Sequence, residues 1–509
     1  MKTTRRALLG LLAIFCGAAA LRAESEPARA KAEHVVLMVW DGMRPDFVTE
    51  ANAPTLWKLA REGVTFRNHH SVYPTLTSVN AAALATGVHP GRSGPIGNYE
   101  FRPEIDRAKD VRMDALDTIR ATDAATGGKY LAVPTIAELV QASGGRTAVA
   151  GTKTAPFLFD RKPGAIALVS GQTFPEAARA AIEKLLGPYP AEELPCAAQD
   201  KWTTRALTEA LWKEGVPEFS VLWMGDPDRS EHATAPGSAT ALAAIKSTDD
   251  NLAIVLRALE ERHIRDKTDL LIVSDHGFST IERPIDLVGL LTKDGFSVVK
   301  IDDKAAPEGA IRVVGNGGTV FFYIDGHRAE TNAHLVQWLQ KTDFAGVIFS
   351  RAPLDGTFLL SRVHLKTPDG PDVAMSFRWN NRRNEDGVAG LIEANGSGDA
   401  KGTHGTLSPF DVHNTLIAAG PDFRAGVRSD LPSSNLDVAA SIIHLLGLNP
   451  PHALDGRVLK EALRRNEMPA TGAKKIEEAK AGKWRQYLRT SSVGATIYID
   501  EGNGSAASD

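Results

Sequence analysis

Apolar runs and amphipathic stretches alternate along most of this chain. The runs His34 to Trp40, Phe219 to Met224 and Asp269 to Ser274 are largely apolar, which is typical of strands buried on both faces of a parallel sheet. Ala53 to Arg61 and Ala239 to Arg262 have the apolar spacing of helices. This alternation predicts an α/β protein with a central, mostly parallel sheet and helices on both faces. Similar patterns predict helices over Pro134 to Ala142, Thr203 to Lys213 and Asp437 to Leu446, and strands over Arg146 to Ala150 and Asn414 to Ala419.

The pattern changes between residues 281 and 402. Val320 to Ile324 is predicted as a strand that ends in a turn, and Ala333 to Gln340 as a short helix. Ser376 to Asp386 is rich in arginine and asparagine, as loops often are. We interpret this segment as a cap subdomain inserted into the core, whose two parts are then residues 34–280 and 403–466.

The last residues form a tail, 467–509. Lys474 to Lys483 combines basic and acidic residues with helix-prone ones, so we expect a helix there. From Glu501 onward the chain is polar and small, which predicts disorder.

The N-terminus has the pattern of an export signal. A basic lead, Met1 to Arg6, precedes an apolar run from Ala7 to Leu21 that is short for a membrane span. We predict that residues 1–23 are a signal peptide, with cleavage near Ala23 or Ala30, and a periplasmic or secreted protein without a membrane span. The two arginines also resemble a twin-arginine signal, and an ordinary secretory signal fits nearly as well.

Composition narrows the choice of partners. Once the signal is removed, Cys196 is the one cysteine left, so no internal disulfide can form. The formal net charge of −4 is close to balance for 509 residues. It therefore gives no reason to expect nucleic acid or an anionic membrane as a bulk partner. The sequence leaves a monomer or a homodimer open.

Thr77 stands where a helix should begin. Pro74 disfavours helix before it, the alanine-rich run Ala81 to Thr86 favours helix after it, and Gly87 can end that helix. Backbone N–H groups and the helix dipole would there meet an incoming anion. The Thr77 hydroxyl is either a helix cap, which is the commoner use, or a nucleophile aimed at phosphate.

Carboxylates and imidazoles recur just past predicted strands. Each has an ordinary alternative, such as a turn at Asp41-Gly42 or a cap at Asp228, for which Asp226 competes. Strand ends of a parallel sheet share one edge, so these groups could converge beside Thr77. So many carboxylates would repel each other unless cations neutralised them. Mixed nitrogen and oxygen ligands suit zinc better than magnesium or calcium, and two sets of ligands suggest two metal ions. The groups are Asp41, Asp228, His232, Asp275, His276 and His404.

The chain resembles the alkaline phosphatase superfamily, and within it the type I phosphodiesterase/nucleotide pyrophosphatase family. The resemblance rests on blocks in the family's order: Val39-Trp40-Asp41-Gly42, Pro74-Thr75-Leu76-Thr77, Asn80 with Thr86-Gly87, Pro227-Asp228 with His232, Ser274-Asp275-His276-Gly277 and Gly402-Thr403-His404-Gly405. It implies an alkaline-phosphatase-like fold and two zinc ions per subunit. One would be held by Asp228, His232 and His404, and the other by Asp41, Thr77, Asp275 and His276.

The same resemblance implies a reaction. Thr77 would attack phosphorus and form a phosphothreonine intermediate, while Asn98 would donate its amide to a phosphoryl oxygen. The substrate would be a small phosphate ester or a nucleotide.

Departures from the family pattern bear on the substrate. Threonine-dependent phosphomonoesterases of the superfamily carry a Lys-x-Arg pair, whereas this chain has Lys153 with Ala155 in the arginine position. Lys153 is then a substrate-binding residue or a surface lysine. The missing arginine favours diesters and pyrophosphates over the alternative of a monoester or phosphonate. A non-catalytic, metal-stabilised binding protein is the remaining alternative, although all seven ligand and nucleophile positions are filled.

Overall fold

The computed structural model describes residues 31–161, 166–299, 307–396, 398–464 and 471–506. The predicted signal peptide and its cleavage sites lie outside the described residues. Within these ranges, no helix has both the length and the apolar character needed to cross a bilayer.

Nine strands form the central sheet. Five neighbouring strands in its middle are parallel, and Leu416–Ala419 runs antiparallel to the strands on both sides. This confirms the mostly parallel sheet. From one edge to the other, the order is Val427–Ser429, Val64–Phe66, Leu416–Ala419, Thr268–Val273, His34–Trp40, Phe219–Met224, Thr147–Gly151, Ile166–Val169 and Gln172–Phe174.

Helices cover both faces of this sheet. Alternate residues of His34–Trp40 enter two separate apolar clusters, because successive side chains of a strand point to opposite faces. Leu37 packs with Ala81 and Ala85 on one face, and Met38 packs with Leu252 on the other. The α-helices of the described residues are Pro54–Glu62, Thr77–Thr86, Pro90–Ser93, Leu116–Thr126, Ile136–Ala142, Arg179–Leu186, Ala197–Arg205, Asp228–Thr234, Ala239–Glu261, Leu287–Lys293, Ala329–Leu339, Pro409–Val412 and Asn435–Leu445, with a π-helical turn at Ala206–Leu211.

Two further sheets lie largely within the segment predicted as a cap. Phe322, Leu335 and Ile348 belong to an apolar cluster that these sheets share with the helix Ala329–Leu339, and Trp484 of the C-terminal tail also belongs to this cluster. The boundaries of the cap, 281–402, stay a prediction. One sheet has the order Ile311–Asn316, Thr319–Ile324, Val373–Phe377, Ala345–Ser350 and Phe358–Leu359, and the other Trp379–Arg383, Ala389–Asn395, Ser279–Ile285 and Gly402–Thr403.

The tail is an antiparallel sheet, so the predicted helix over 474–483 and the predicted disorder from Glu501 are wrong. Its strands are Ala473–Ala481, Trp484–Val493 and Thr496–Ala506. The charged run is an edge strand with mostly exposed side chains, and strand pairing overrides its helix propensity. The polar end pairs along the full length of Trp484–Val493.

Buried polar contacts fasten this C-terminal sheet to the rest of the protein. Asp500 Oδ1 lies 2.8 Å from His70 Nε2 and accepts a hydrogen bond of 2.7 Å from Ser491 Oγ. Burial raises the pKa of Asp500, but its contacts with His70 and Ser491 outweigh burial and lower it. Tyr498 donates to Asp437 Oδ2 at 2.9 Å on a core helix. The tail is therefore part of the folded protein.

Asp500→Ala should lower the free energy of unfolding by about 1–3 kcal/mol, because it leaves His70 and Ser491 without their buried partner. Chemical denaturation followed by tryptophan fluorescence measures this. Glu478→Ala on the exposed edge strand is the control and should leave the free energy of unfolding nearly unchanged, since its partner Lys480 is a surface residue and solvent screens the pair. Equal effects of the two substitutions would contradict a docked tail.

Candidate active site

Thr77 is the first residue of the helix Thr77–Thr86 and does not cap it. Leu76 occupies the N-cap position, and its own side chain makes no capping hydrogen bond. The Thr77 hydroxyl instead lies 3.2 Å from His276 Nε2, so the cap alternative is wrong. Gly87, with φ of 72°, ends the helix in the left-handed conformation that glycine adopts without strain. Asn80 fixes the loop before the helix by accepting from the Val72 N–H at 2.7 Å.

Three carboxylates lie at the carboxyl ends of three neighbouring parallel strands. Asp41 follows His34–Trp40, Asp275 lies two residues after Thr268–Val273, and Asp228 opens the helix after Phe219–Met224. All three are buried. One oxygen of each has donors within the protein. Asp41 Oδ2 accepts from Trp223 Nε1 at 2.8 Å, Asp275 Oδ1 accepts from the Gly42 N–H at 3.2 Å, and Asp228 Oδ2 accepts from Lys153 Nζ.

Three imidazoles face these carboxylates with a defined tautomer. Their Nδ1 atoms lie against backbone carbonyls, and a carbonyl can only accept, so Nδ1 must carry the proton. In a neutral ring, Nε2 then carries a lone pair, which is directed at the carboxylates. The pairs are His232 with Gly402 at 2.9 Å, His276 with Gly277 at 2.9 Å and His404 with Thr75 at 2.7 Å.

The second oxygen of each carboxylate has no hydrogen-bond donor among the described residues. These atoms are Asp41 Oδ1, Asp228 Oδ1 and Asp275 Oδ2. They face the imidazole lone pairs instead, which is repulsive unless a cation lies between them. In a tetrahedral zinc site with bonds of about 2.0–2.1 Å, two ligand atoms lie about 3.3 Å apart. The separations from Nε2 are 3.2 Å for His276 to Asp275, 3.6 Å for His276 to Asp41, 3.4 Å for His232 to Asp228 and 3.5 Å for His404 to Asp228.

These atoms form two groups that fit metal ions. Asp41, Asp275 and His276 form one group, and Asp228, His276 and His404 form the other, with the ligand atoms of each within 4.8 Å of one another. The first group is the predicted set without Thr77. The second contains two of its three predicted members, with His276 in the place of His232. His232 Nε2 nevertheless points at the same Asp228 oxygen.

Electrostatics indicate the same need for positive charge. Burial, reinforced by the charge of Asp275, raises the pKa of Asp41 to about 8. Burial also raises the pKa of Asp275 to about 7. Burial would raise the pKa of Asp228 too, but Lys153 and His232 hold it well below its usual value. Bound cations would keep all three carboxylates ionised.

Asp226, the competitor of Asp228, is occupied elsewhere. Its Oδ2 accepts from the Cys196 N–H at 2.7 Å, and its Oδ1 accepts from Ser230 Oγ at 2.9 Å. Asp226, Asp200 and Cys196 form a third buried group. Asp200 Oδ1 accepts from the Gly225 N–H at 2.9 Å, so donors of the protein itself satisfy these carboxylates.

A cleft of about 880 Å³ opens beside these groups. Thr77, Asn98, Lys153, His232 and His404 line it. Asn98 Oδ1 accepts from the Ser78 N–H at 2.9 Å, which leaves its NH₂ group free to donate to a ligand.

Lys153 lies among the carboxylates, not at the surface. Its Nζ donates to Asp41 Oδ2 at 2.9 Å and to Asp228, and the side chain is only 14% exposed. The interpretation of Lys153 as a surface lysine is therefore wrong.

Sequence reasoning missed the hairpin that forms another wall of the cleft. Tyr99 and Arg112 lie opposite each other on strands of only two residues each, and Asn316 reaches Tyr99 from the cap segment. Strands this short show no periodicity, so the sequence carries no signal for them.

This mostly parallel α/β fold, with its strand-end acids and histidines beside a threonine, is that of an alkaline-phosphatase-like protein. The family profile "Type I phosphodiesterase / nucleotide pyrophosphatase" matches residues 35–386, more than half of the chain. The chain therefore belongs to the type I phosphodiesterase/nucleotide pyrophosphatase family.

Individual relatives are distant. The chain is 25% identical over 259 residues to human ectonucleotide pyrophosphatase/phosphodiesterase family member 1. The matched region is 49% of this chain and 24% of that relative. It is 24% identical over 259 residues to rat family member 7, covering 50% of this chain and 53% of that one. It thus spans between a quarter and about half of the length of these two relatives. The solved structure of murine ectonucleotide pyrophosphatase/phosphodiesterase 5 shares the fold, with a TM-score of 0.59 and 18% identity over 84% of this chain and 100% of that one.

Removing metal should lower the melting temperature, and adding a divalent cation such as zinc should restore it, because the cation relieves the repulsion between carboxylates and imidazoles. A free cation concentration of 100 times Kd would stabilise the fold by about 2.7 kcal/mol. Differential scanning calorimetry after chelation measures the effect.

His404→Ala should reduce the stabilisation by cation, whereas His327→Ala should not. His327 is half exposed, lies in the cap segment and pairs with Asp372, so it is a matched histidine outside the site. A melting temperature indifferent to divalent cations would contradict a metal site here.

Proposed function

We propose that this protein is an exported two-zinc phosphohydrolase that cleaves phosphodiester or nucleotide pyrophosphate bonds through a phosphothreonine intermediate. The observation that carries the proposal is the Thr77 hydroxyl, 3.2 Å from His276 Nε2, in a cleft beside three carboxylate oxygens without donors among the described residues. Membership of the family supports hydrolysis of phosphoester or anhydride bonds.

The proposed metal ligands are the two sets implied by the sequence. Asp228, His232 and His404 would hold one zinc, and Asp41, Asp275 and His276 the other, with Thr77 beside the second. Carboxylate and imidazole donors in this mixture suit zinc better than magnesium or calcium. When bound, the zinc ions would supply the Lewis acidity that lowers the pKa of a hydroxyl and stabilises negative charge on oxygen.

Thr77 and Asn98 would carry the chemistry of the chain itself. Thr77 Oγ1 loses its proton to solvent and forms a bond to phosphorus, while the bond to the leaving oxygen, opposite Thr77, breaks and that oxygen departs with the electron pair. A water oxygen then replaces Oγ1 on phosphorus and restores the threonine hydroxyl. The Asn98 NH₂ group donates to a non-bridging phosphoryl oxygen, because Ser78 holds the other end of the amide.

The surroundings of Lys153 support a diester or pyrophosphate substrate. A monoester carries a second negative charge, which needs a free cation in the site. The Lys153 ammonium is engaged by Asp41 and Asp228, and a buried Ala155 stands in the arginine position of the monoesterases. The position of Lys153 in the cleft keeps monoester or phosphonate hydrolysis as the second candidate, in which the ammonium turns to the phosphoryl group.

Export is proposed from the predicted signal peptide and from the names of relatives. These include ectonucleotide pyrophosphatases and a venom phosphodiesterase of Crotalus adamanteus, 24% identical over 263 residues. We propose a periplasmic or secreted enzyme that acts on a small-molecule phosphate ester or nucleotide.

Thr77→Ala should abolish turnover of bis-p-nitrophenyl phosphate, with a loss of at least about 10³-fold, while the protein keeps its bound zinc. Thr77→Ser should retain part of the activity because it keeps a hydroxyl. Thr86→Ala, at the other end of the same helix, is the matched control and should stay active. Release of p-nitrophenol together with elemental analysis of bound metal measures both effects, and an active Thr77→Ala would refute the nucleophile.

The same assay compares substrate classes. The wild-type enzyme should hydrolyse bis-p-nitrophenyl phosphate with a higher kcat/KM than p-nitrophenyl phosphate. The reverse order would favour the monoesterase candidate. Zinc-loaded protein that hydrolyses neither would favour the non-catalytic binding protein.

A further inference from the structure

The C-terminal sheet has one covered edge and one open edge. On the covered side, Gly502 of the strand Thr496–Ala506 donates its N–H to the Leu407 carbonyl at 2.9 Å, and its own carbonyl accepts from Trp379 Nε1 at 2.7 Å. The open side is the strand Ala473–Ala481, whose outer side pairs with no strand among the described residues. Such an edge presents a row of N–H and C=O groups with which another strand can pair.

This open edge lacks several features that usually prevent edge pairing. It is nine residues long, contains no proline and pairs with Trp484–Val493 in one unbroken register, so no bulge twists it away. Ile476, near its middle, is 57% exposed, the largest fraction among the exposed large hydrophobic side chains in the described part of the chain. The edge is therefore long, regular and apolar near its centre.

Charges of opposite sign flank Ile476. Lys474 and Lys475 precede it, whereas Glu477 and Glu478 follow it. Two copies of such a strand complement each other when they run antiparallel, because the basic half of each copy then lies opposite the acidic half of the other. Lysines at an edge normally discourage a second strand, but in this arrangement each of these lysines meets a glutamate.

A two-fold axis fixes the register of the pair. When two identical strands pair antiparallel about such an axis, the residue on the axis lies opposite its own copy. An axis at Ile476 places Lys475 opposite Glu477 and Lys474 opposite Glu478, and each of these contacts occurs twice. An axis at Lys475 or Glu477 would instead place like charges opposite each other, which is destabilising.

The side chains that this register brings together reach solvent. Lys475 is 71% exposed, and Glu478 is 56% exposed. Glu477 is 24% exposed and contacts Arg362 of its own chain at 2.5 Å, so its carboxylate is held in place before a second strand arrives. No large rearrangement is therefore needed for the charged groups of two copies to meet.

We propose that this protein forms a homodimer in which the strands Ala473–Ala481 of two copies pair antiparallel about Ile476. The two C-terminal sheets then form one continuous sheet of six strands. Because the other edge of each sheet is covered, assembly stops at two copies. The contact lies in the C-terminal sheet, so this inference is independent of the proposed phosphohydrolase function.

Sedimentation velocity of the purified protein over a range of concentrations measures the assembly directly. The wild type should sediment as a dimer that dissociates on dilution, and added salt should raise its Kd because salt screens exposed ion pairs. A wild type that stays monomeric at every concentration, or that forms larger oligomers, would overturn the proposal.

Ile476→Lys places two ammonium groups opposite each other on the axis and should abolish the dimer. Ile497→Lys is the matched control, because Ile497 is 50% exposed in the same sheet but lies on Thr496–Ala506, away from the open edge. A dimer that survives Ile476→Lys, or that both substitutions weaken equally, would place the interface elsewhere and refute the proposal.

Exchanged charges test the register. Lys474→Glu turns both contacts between positions 474 and 478 into pairs of carboxylates, and Glu478→Lys turns them into pairs of ammonium groups. Each variant alone should therefore dimerise roughly 10-fold more weakly than the wild type. An equimolar mixture should form a mixed dimer with near wild-type Kd, since both contacts again join opposite charges. A mixture that dimerises no better than the separate variants would contradict the register.

The dimer also sets a condition for the unfolding experiments on the tail. Glu478 lies in the proposed contact, so Glu478→Ala and Asp500→Ala are compared at concentrations at which the protein is a monomer.

Discussion

The carboxylate oxygens and imidazole nitrogens of the site repel each other through their lone pairs, and a cation between them would turn this repulsion into attraction. The rest of the structure depends on this constraint. Oxygens of Asp41, Asp228 and Asp275 face imidazole nitrogens whose protons point the other way, toward backbone carbonyls. Burying three carboxylates in this way is costly unless positive charge compensates them. Lys153 supplies part of that charge by bridging Asp41 and Asp228. The remaining oxygens are arranged as ligands are around metal ions.

The fold brings these groups together from distant parts of the chain. Because neighbouring parallel strands end at one edge of the sheet, Asp41 and Asp275 meet although more than 200 residues separate them. The helix that begins at Thr77 then places a hydroxyl against His276, and the carbonyl of Thr75 orients His404. Asn435 holds the backbone beside the site by donating a hydrogen bond to the Asp275 carbonyl at 2.7 Å. The site is thus built into the core.

Much of this arrangement could be predicted from the sequence where a single physical rule decides the outcome. Continuous apolar runs identify the central strands. The residues that follow these strands lie at the carboxyl-terminal edge of the sheet, independently of the conformation of the loops. The start of the helix at Thr77 follows from Pro74, the alanine run and Gly87, and it is observed there. Which oxygen of Asp228 faces the histidines, and whether Asp226 competes for them, depends on donors from remote segments such as Cys196.

The misses have a common cause. The run Ala473–Ala481 has helix propensity, but pairing with Trp484–Val493 and burial of Trp484 and Leu488 decide its conformation. Asn316, more than 200 residues away along the chain, holds the Tyr99 hairpin in place, so no local sequence pattern predicts this hairpin. Local propensity predicts an element well where it acts over a long segment. It predicts poorly where contacts with distant parts of the chain decide the conformation of a short segment.

Anomalous X-ray diffraction from crystals of the zinc-loaded protein, recorded on both sides of the zinc absorption edge, tests the central claim most directly. Two peaks are expected, one among Asp41, Asp275 and His276 and the other among Asp228, His232 and His404, each about 2.0–2.1 Å from an imidazole nitrogen. The absence of anomalous signal at these positions, with the carboxylate oxygens bound by water or protein donors instead, would contradict the account.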